Sequence, residues 1–192
     1  MRAWAFLVVA ACSAPAPASA DAKKEASMPD LSIEWSVKKS DGQLQIAYTL
    51  ANHSKKPVFV ADVMVVGGDP AADAVVVLRG EPGQVRFVKG DVPPLYSKVS
   101  ARSQPGLRPL AAGATVTGTA RAALPLKESH PVYHEERELP GPVTTGVLEV
   151  HVYPGDVDQV STTLANGTAM HWAKQTAPAP QTVRSAPATL PR

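Results

Sequence analysis

The sequence predicts an all-β protein built as a single antiparallel β-sandwich with flexible N- and C-terminal tails. Three observations carry this expectation. Long runs alternate apolar and polar residues with period two, which puts one side chain in two on a buried face. Clusters of Gly, Pro, Asn and Asp separate these runs at short intervals. Between Leu31 and Lys174 no stretch carries a convincing helical period. About eight or nine short strands with turn signals between them indicate a sandwich or barrel. Of the 192 residues, the span 31–175 is ample for one such domain and too short for two.

The first run, LSIEWSVK (31–38), places Leu31, Ile33, Trp35 and Val37 on one face and Ser32, Glu34, Ser36 and Lys38 on the other. SDG then supplies a turn. QLQIAYTLAN (43–52) turns Leu44, Ile46, Tyr48 and Leu50 inward, so the two runs form a hairpin. After NHSKKP, the run PVFVADVMVV (57–66) is apolar on both faces, as a buried central strand is. AVVVLR (74–79) and QVRFVK (84–89) are shorter strands flanking GEPG, and LYSKVSAR (95–102) is a weaker one. ATVTGTARAALPL (114–126) alternates small inward residues (Val116, Gly118, Ala120, Ala122, Leu124) with outward Thr and Arg. GVLEVHVY (146–153) alternates Leu148, Val150 and Val152 with Glu149 and His151, and TAMHWAK (168–174) closes the set. Beyond it, residues 176–192 read as a flexible Pro- and Ala-rich tail, with docking of QTVRSA as an edge strand the competing reading.

The N-terminus opens with Arg2 and the apolar run AWAFLVVAA, which fits a secretory signal and is too short to span a bilayer. Two cuts compete. Ala18-Ser19-Ala20 offers an A-x-A site that would discard Cys12 and release a soluble secreted protein. Val9-Ala10-Ala11-Cys12 resembles the lipobox of bacterial lipoproteins, in which the cysteine takes a diacylglycerol. The apolar run ends directly at Cys12, the single cysteine of the chain, so it has no partner for an intramolecular disulfide. This division makes residues 1–11 the signal, residues 12–30 a lipidated flexible tether and residues 31–175 the sandwich. The resemblance further implies that Ser13, which is not the retaining Asp, sends the protein to the outer membrane, facing the periplasm. The hairpin with Asn at its end, the Pro that opens the next strand, and AAGAT before a later strand together resemble the immunoglobulin-like modules of bacterial envelope proteins. The Cys…Trp…Cys signature of antibody domains is absent. Asn52 (NHS) and Asn166 (NGT) fit the glycosylation pattern, which a bacterial signal makes a coincidence.

Chemistry-bearing patterns are sparse. Residues 124–145 form a long connection holding His130, His134 and Glu135, whose imidazoles and carboxylate are proper zinc ligands. Pro131 between the histidines disfavours a shared helix face, and HEERE lacks the second His of the zincin pattern, so a solvated loop is the expectation and no metal or cofactor is assigned. Asp156 and Asp158 lack the remainder of a calcium loop. No G-x-S-x-G, P-loop or dinucleotide fingerprint occurs. A net charge of +2 gives no electrostatic case for nucleic acid. Arg86, Lys89, Lys98, Arg102 and Arg108 stand against Asp91 alone within 86–108, which reads either as strand edges blunted by charge or as a patch for an anionic partner. The sequence therefore points to a non-enzymatic, lipid-anchored envelope module that touches the membrane through its anchor and binds another envelope protein or a polysaccharide. The alternatives are a metal-dependent hydrolase built on the 124–145 loop and a secreted protease-inhibitor-like module.

Overall fold

Residues 30–96 and 104–191 are described by the computed structural model, and among them no helix occurs. The alternating N-terminal runs become β1 (Leu31–Ser40) and β2 (Gln43–Asn52), paired from Leu31 with Asn52 to Ser40 with Gln43. Asp41 and Gly42 close the hairpin with φ of 52° and 73°. A two-residue turn needs this left-handed backbone to match the twist of its strands, and Asp-Gly adopts it at little cost.

The remaining strands follow as β3 (Val58–Val66), β4 (Asp69–Ala71), β5 (Val76–Arg79), β6 (Gln84–Lys89), β7 (Gly106–Leu110) and β8 (Thr115–Ala123). Then come β9 (Lys127–His130), β10 (Glu135–Glu138), β11 (Thr145–Pro154), β12 (Gln159–Thr163), β13 (Ala169–Ala173), β14 (Gln181–Arg184) and β15 (Ala188–Thr189). They make a three-stranded sheet ordered β1-β2-β8 and a ten-stranded sheet. The larger sheet runs β10-β9-β5-β6-β11-β3-β4, with β7 on β3 and with β14 and β15 on β11; β12 and β13 form a separate hairpin.

The two sheets face each other across one core. Leu44, Ile46 and Leu50 of β2 and Ala120 and Ala122 of β8 meet Val60, Val85, Phe87, Leu148 and Val150 from the large sheet. Each of the larger of these side chains gains about 1.5–3 kcal/mol by leaving water. The outer face of the large sheet is covered as well. Met64, Val76, Val88 and Val92 form one cluster there, and Ala61, Leu107, Tyr153, Val157 and Ala173 form another. This second layer explains why β3 and β11 are buried on both faces.

Four expectations are corrected. The sandwich is not purely antiparallel: β6 and β11 run parallel from Gln84 with Thr145 to Lys89 with Val150, because the chain crosses to β8, β9 and β10 between them. Residues 124–145 are not one loop but hold the β9–β10 hairpin. Leu95 and Tyr96 lie in a bend rather than a strand, and the rest of that run, 97–102, lies outside the described residues. The C-terminal segment docks. Residues Glu149 and Val150 pair with β6 on one side and β14 on the other, so β14 fills the edge of β11 that β6 leaves open. Ser185 extends the pairing through bonds to the N–H and C=O of Leu148, each 2.9 Å, and Leu190 is buried in the core. Prolines flank these short strands, which gives the segment its disordered-looking composition.

Gly118 sits under the Tyr48 ring, where an added Cβ would come within 2.2 Å of ring atoms. The ring is held by its hydroxyl and cannot swing aside cheaply. Gly118→Ala is expected to cost about 1–3 kcal/mol by overpacking, read as a lower urea midpoint with an unchanged m-value.

Candidate functional site

Asp62 is the one charged residue in the apolar run of β3, and it is 2 % exposed. Local geometry puts it there. The β3–β7 register slips between Ala61 and Val63, which pair with Leu107 and Gly106, so Asp62 has no partner in the ladder. A bulge of this kind re-aims the extra side chain. Val60 before it faces the inner core, and Met64 after it faces the outer cluster.

Asp62 accepts a hydrogen bond of 2.6 Å from the Tyr48 hydroxyl and one of 2.8 Å from Arg108 Nε, and Arg108 Nη2 grips its other oxygen. The same guanidinium donates to the Thr117 carbonyl at 3.3 Å. Lys89, fully buried, donates to the carbonyls of Ala72 (2.5 Å), Ala74 (2.9 Å) and Thr119 (3.4 Å). Thr117 and Thr119 belong to β8, the terminal strand of the small sheet, whose outer edge also donates the Arg121 N–H to the Asp73 carbonyl. Two cations and one loop carbonyl therefore seal that edge and clasp it to the large sheet.

The electrostatics follow from burial. Lys89 is pushed down to about 8 by desolvation, with Arg108 acting in the same direction and Asp62 and Asp73 opposing it. Tyr48 is pushed well up, first by burial and then by Asp62. Arg108 is raised chiefly by its hydrogen bond to Asp62. Over this clasp lies an open cleft of about 670 Å³, lined by Glu34, Trp35, Ser36, Thr49, Thr117 and Thr119 around Tyr48, Asp62 and Arg108.

A second polar cluster surrounds the β9–β10 hairpin. Glu128 accepts the Tyr96 hydroxyl at 2.6 Å and the backbone N–H of Arg79 at 3.2 Å, with the Arg79 side chain at 3.4 Å. Burial raises the Glu128 carboxyl, but these bonds outweigh it and hold the group below its usual range. Arg137 lies over the Tyr96 ring at 5.5 Å, a cation–π contact. The histidine–carboxylate set of this region is committed to structure. His130 is 2 % exposed with Nε2 3.0 Å from the Val92 carbonyl, and burial lowers its basicity. Glu135 takes the backbone N–H groups of Leu95 (2.5 Å) and Tyr96 (3.2 Å). His134 caps the turn with φ of 52°. Among the described residues no group of three or more His, Cys, Asp or Glu is placed to hold a metal ion.

The structure does not gather the described members of the basic set on one face. Arg86 is bidentate to the buried Glu149, at 3.0 and 2.6 Å, while Lys89 points to the opposite side of β6 and Arg108 is held by Asp62. Lys98, Arg102 and the proposed lipidation residue Cys12 lie outside the described residues. Asn52 is 1 % exposed and its amide nitrogen donates to the carbonyls of Lys56, Leu110 and Ala111, which leaves nothing for a glycan. Asp158 pairs with Lys174 at the surface, and His171 meets Ser161. Tyr48 and Asp62 are the members of the clasp that sequence reasoning missed. A lone carboxylate in a run apolar on both faces was the available signal.

Compared with known proteins, the chain matches no protein-family model and no curated sequence.

Removing Asp62 orphans a tyrosine hydroxyl and a guanidinium at once. Asp62→Ala is expected to cost about 3 kcal/mol, the low end for a broken buried pair because Arg108 keeps access to water. Tyr48→Phe should cost about 1.5 kcal/mol, since the Asp62–Arg108 pair survives. Both are read by urea denaturation.

The pH dependence has a definite sign. Native Lys89 releases its proton near pH 8 and unfolded lysine near about 10.4. The unfolded chain therefore binds more protons between those values, and the Lys89 contribution rises with pH from about 8 to about 10. Above about 10 Tyr48 opposes it, because unfolded tyrosine ionises while native Tyr48 stays protonated. The urea midpoint is expected to rise between pH 7.5 and pH 9.5 (roughly spanning that window), and Lys89→Met should abolish the rise.

Proposed function

We propose that this protein is a non-enzymatic, lipid-anchored binding module of the bacterial cell envelope, with an immunoglobulin-like sandwich as its recognition domain. Cys12 carries the lipid, and the residues before β1 form the tether that holds the domain off the membrane. The Val9-Ala10-Ala11-Cys12 quartet supports the anchor.

The observation that carries the binding role is the cleft over the clasp. Its volume of about 670 Å³ falls within the usual range for ligand sites, about 300–1,000 Å³. Its lining joins the hydroxyls of Ser36, Thr49, Thr117 and Thr119 to the Glu34 carboxylate. Hydroxyls and a carboxylate exchange hydrogen bonds with a polyhydroxylated ligand. This chemistry favours an envelope polysaccharide over a protein partner. The rigid floor supports the role, because Tyr48, Asp62 and Arg108 fix one another and leave the cleft walls little freedom.

Two measurements test the reading. Labelled palmitate is expected to enter the protein and to be lost in Cys12→Ala, whereas a mature N-terminus at Asp21 would overturn the anchor. The purified protein is expected to be retained on immobilised envelope polysaccharide. Thr119→Trp, which fills the cleft from an exposed position, should weaken retention about tenfold; unchanged retention would overturn the cleft as the site.

A further inference from the structure

The hydrogen bond from the His53 N–H to the Asp30 carbonyl, 2.8 Å, fixes which residues of β1 face β2. In an antiparallel ladder, hydrogen-bonded and non-hydrogen-bonded pairs alternate. Ser32, Glu34, Ser36 and Lys38 therefore direct their backbone groups to β2. Leu31, Ile33, Trp35, Val37 and Lys39 turn theirs to the other edge, and β1 is the terminal strand of its sheet. Among the described residues no strand pairs with that edge. The C-terminal segment passes close enough for the Trp35 indole N–H to reach the Ala186 carbonyl at 2.9 Å, but its strands pair with β11 instead.

The other long edges are protected. Lys89, Arg108 and Asp73 close β8, Pro109 interrupts β7, and Pro180 and Pro187 bracket β14. β1 runs for ten residues without Pro, Gly or bulge. A regular exposed edge of that length is a template for another strand. Lys38 and Lys39 would blunt it against most partners, so the occupant must answer their charge.

We infer that β1 pairs antiparallel with β1 of a second copy of this chain, on a twofold axis through Ser36. In this register Trp35 lies opposite Val37 of the second copy as a hydrogen-bonded pair, and Ile33 lies opposite the aliphatic stem of Lys39. On the outer face Glu34 stands directly opposite Lys38, twice by symmetry, and Ser36 opposite itself. A register centred on Trp35 would set Glu34 against Ser36 and leave Lys38 facing Ser32. The strand is thus complementary to itself in charge in one register, as an isologous contact requires. The two small sheets join into one sheet of twice three strands.

The full chain in a Cys12→Ser background, which has no thiol to take a lipid, is expected to show a concentration-dependent dimer by light scattering. Lys38→Glu faces Glu34 with a like charge and should raise the dissociation constant about tenfold, and adding Glu34→Lys should restore it. The Ser36 pair is non-hydrogen-bonded, with Cα atoms about 4.5 Å apart, within disulfide reach. In a Cys12→Ser background, Ser36→Cys should therefore link two copies under mild oxidation, and Glu34→Cys should not. A monomer mass at every soluble concentration overturns the proposal. So does a dimer that ignores Lys38→Glu and leaves Ser36→Cys unlinked.

Discussion

A carboxylate buried between two sheets sets the terms for the rest of this structure. Asp62 cannot lie 2 % exposed without compensation, because a lone charge in an apolar interior is unaffordable. Its partners come from three different strands: Tyr48 from β2, Arg108 from β7 and, through the Arg108 guanidinium, the Thr117 carbonyl of β8. Satisfying one side chain therefore fixes the relative position of both sheets. Hydrophobic contacts alone tolerate sliding, since Val and Leu pack about as well one notch along. A carboxylate with directional donors at 2.6 and 2.8 Å does not.

The same clasp solves a second problem. The small sheet ends at β8, whose outward carbonyls would otherwise meet apolar side chains or invite another strand. Lys89 and Arg108 occupy them from the large sheet. Lysine suits this task because its ammonium carries three donors and here meets three carbonyls. Burial costs it basicity, which is why its proton is held more weakly than on an exposed lysine. The residues that looked like a surface patch are in large part internal fasteners.

Legibility in the sequence followed periodicity. β1, β2 and β8 are long, and their alternation survives in the observed burial, so their faces could be read residue by residue; β11 alternates in sequence but is buried on both faces, with the outward-reading Glu149 3 % exposed. The bulge in β3 could not, because a slip of one residue leaves an all-apolar run looking the same. β7 carries Pro109, β9 and β10 are polar, and β14 lies among prolines; each is a strand because a neighbour offers an open edge, not because its own residues favour one. The site was legible only in fragments. Arg108 and Lys89 stood out by charge, but pairing Arg108 with Asp62 requires knowing that β7 lies beside β3 across 46 positions of sequence.

The late strands on β11 bear on how the protein comes to exist. β11 is flanked by β6, made long before it, and by β14 and β15, made after it. Until residues 181–190 have emerged, one edge of the central strand stands open and Leu190 is missing from the core it helps to fill. A chain synthesised or threaded from its N-terminus therefore cannot reach its final architecture piece by piece. It must remain incomplete, with a sticky β edge exposed, until residues 181–190 are free. Protection of that edge until then is a requirement on the cell, written into the order in which the strands are laid down.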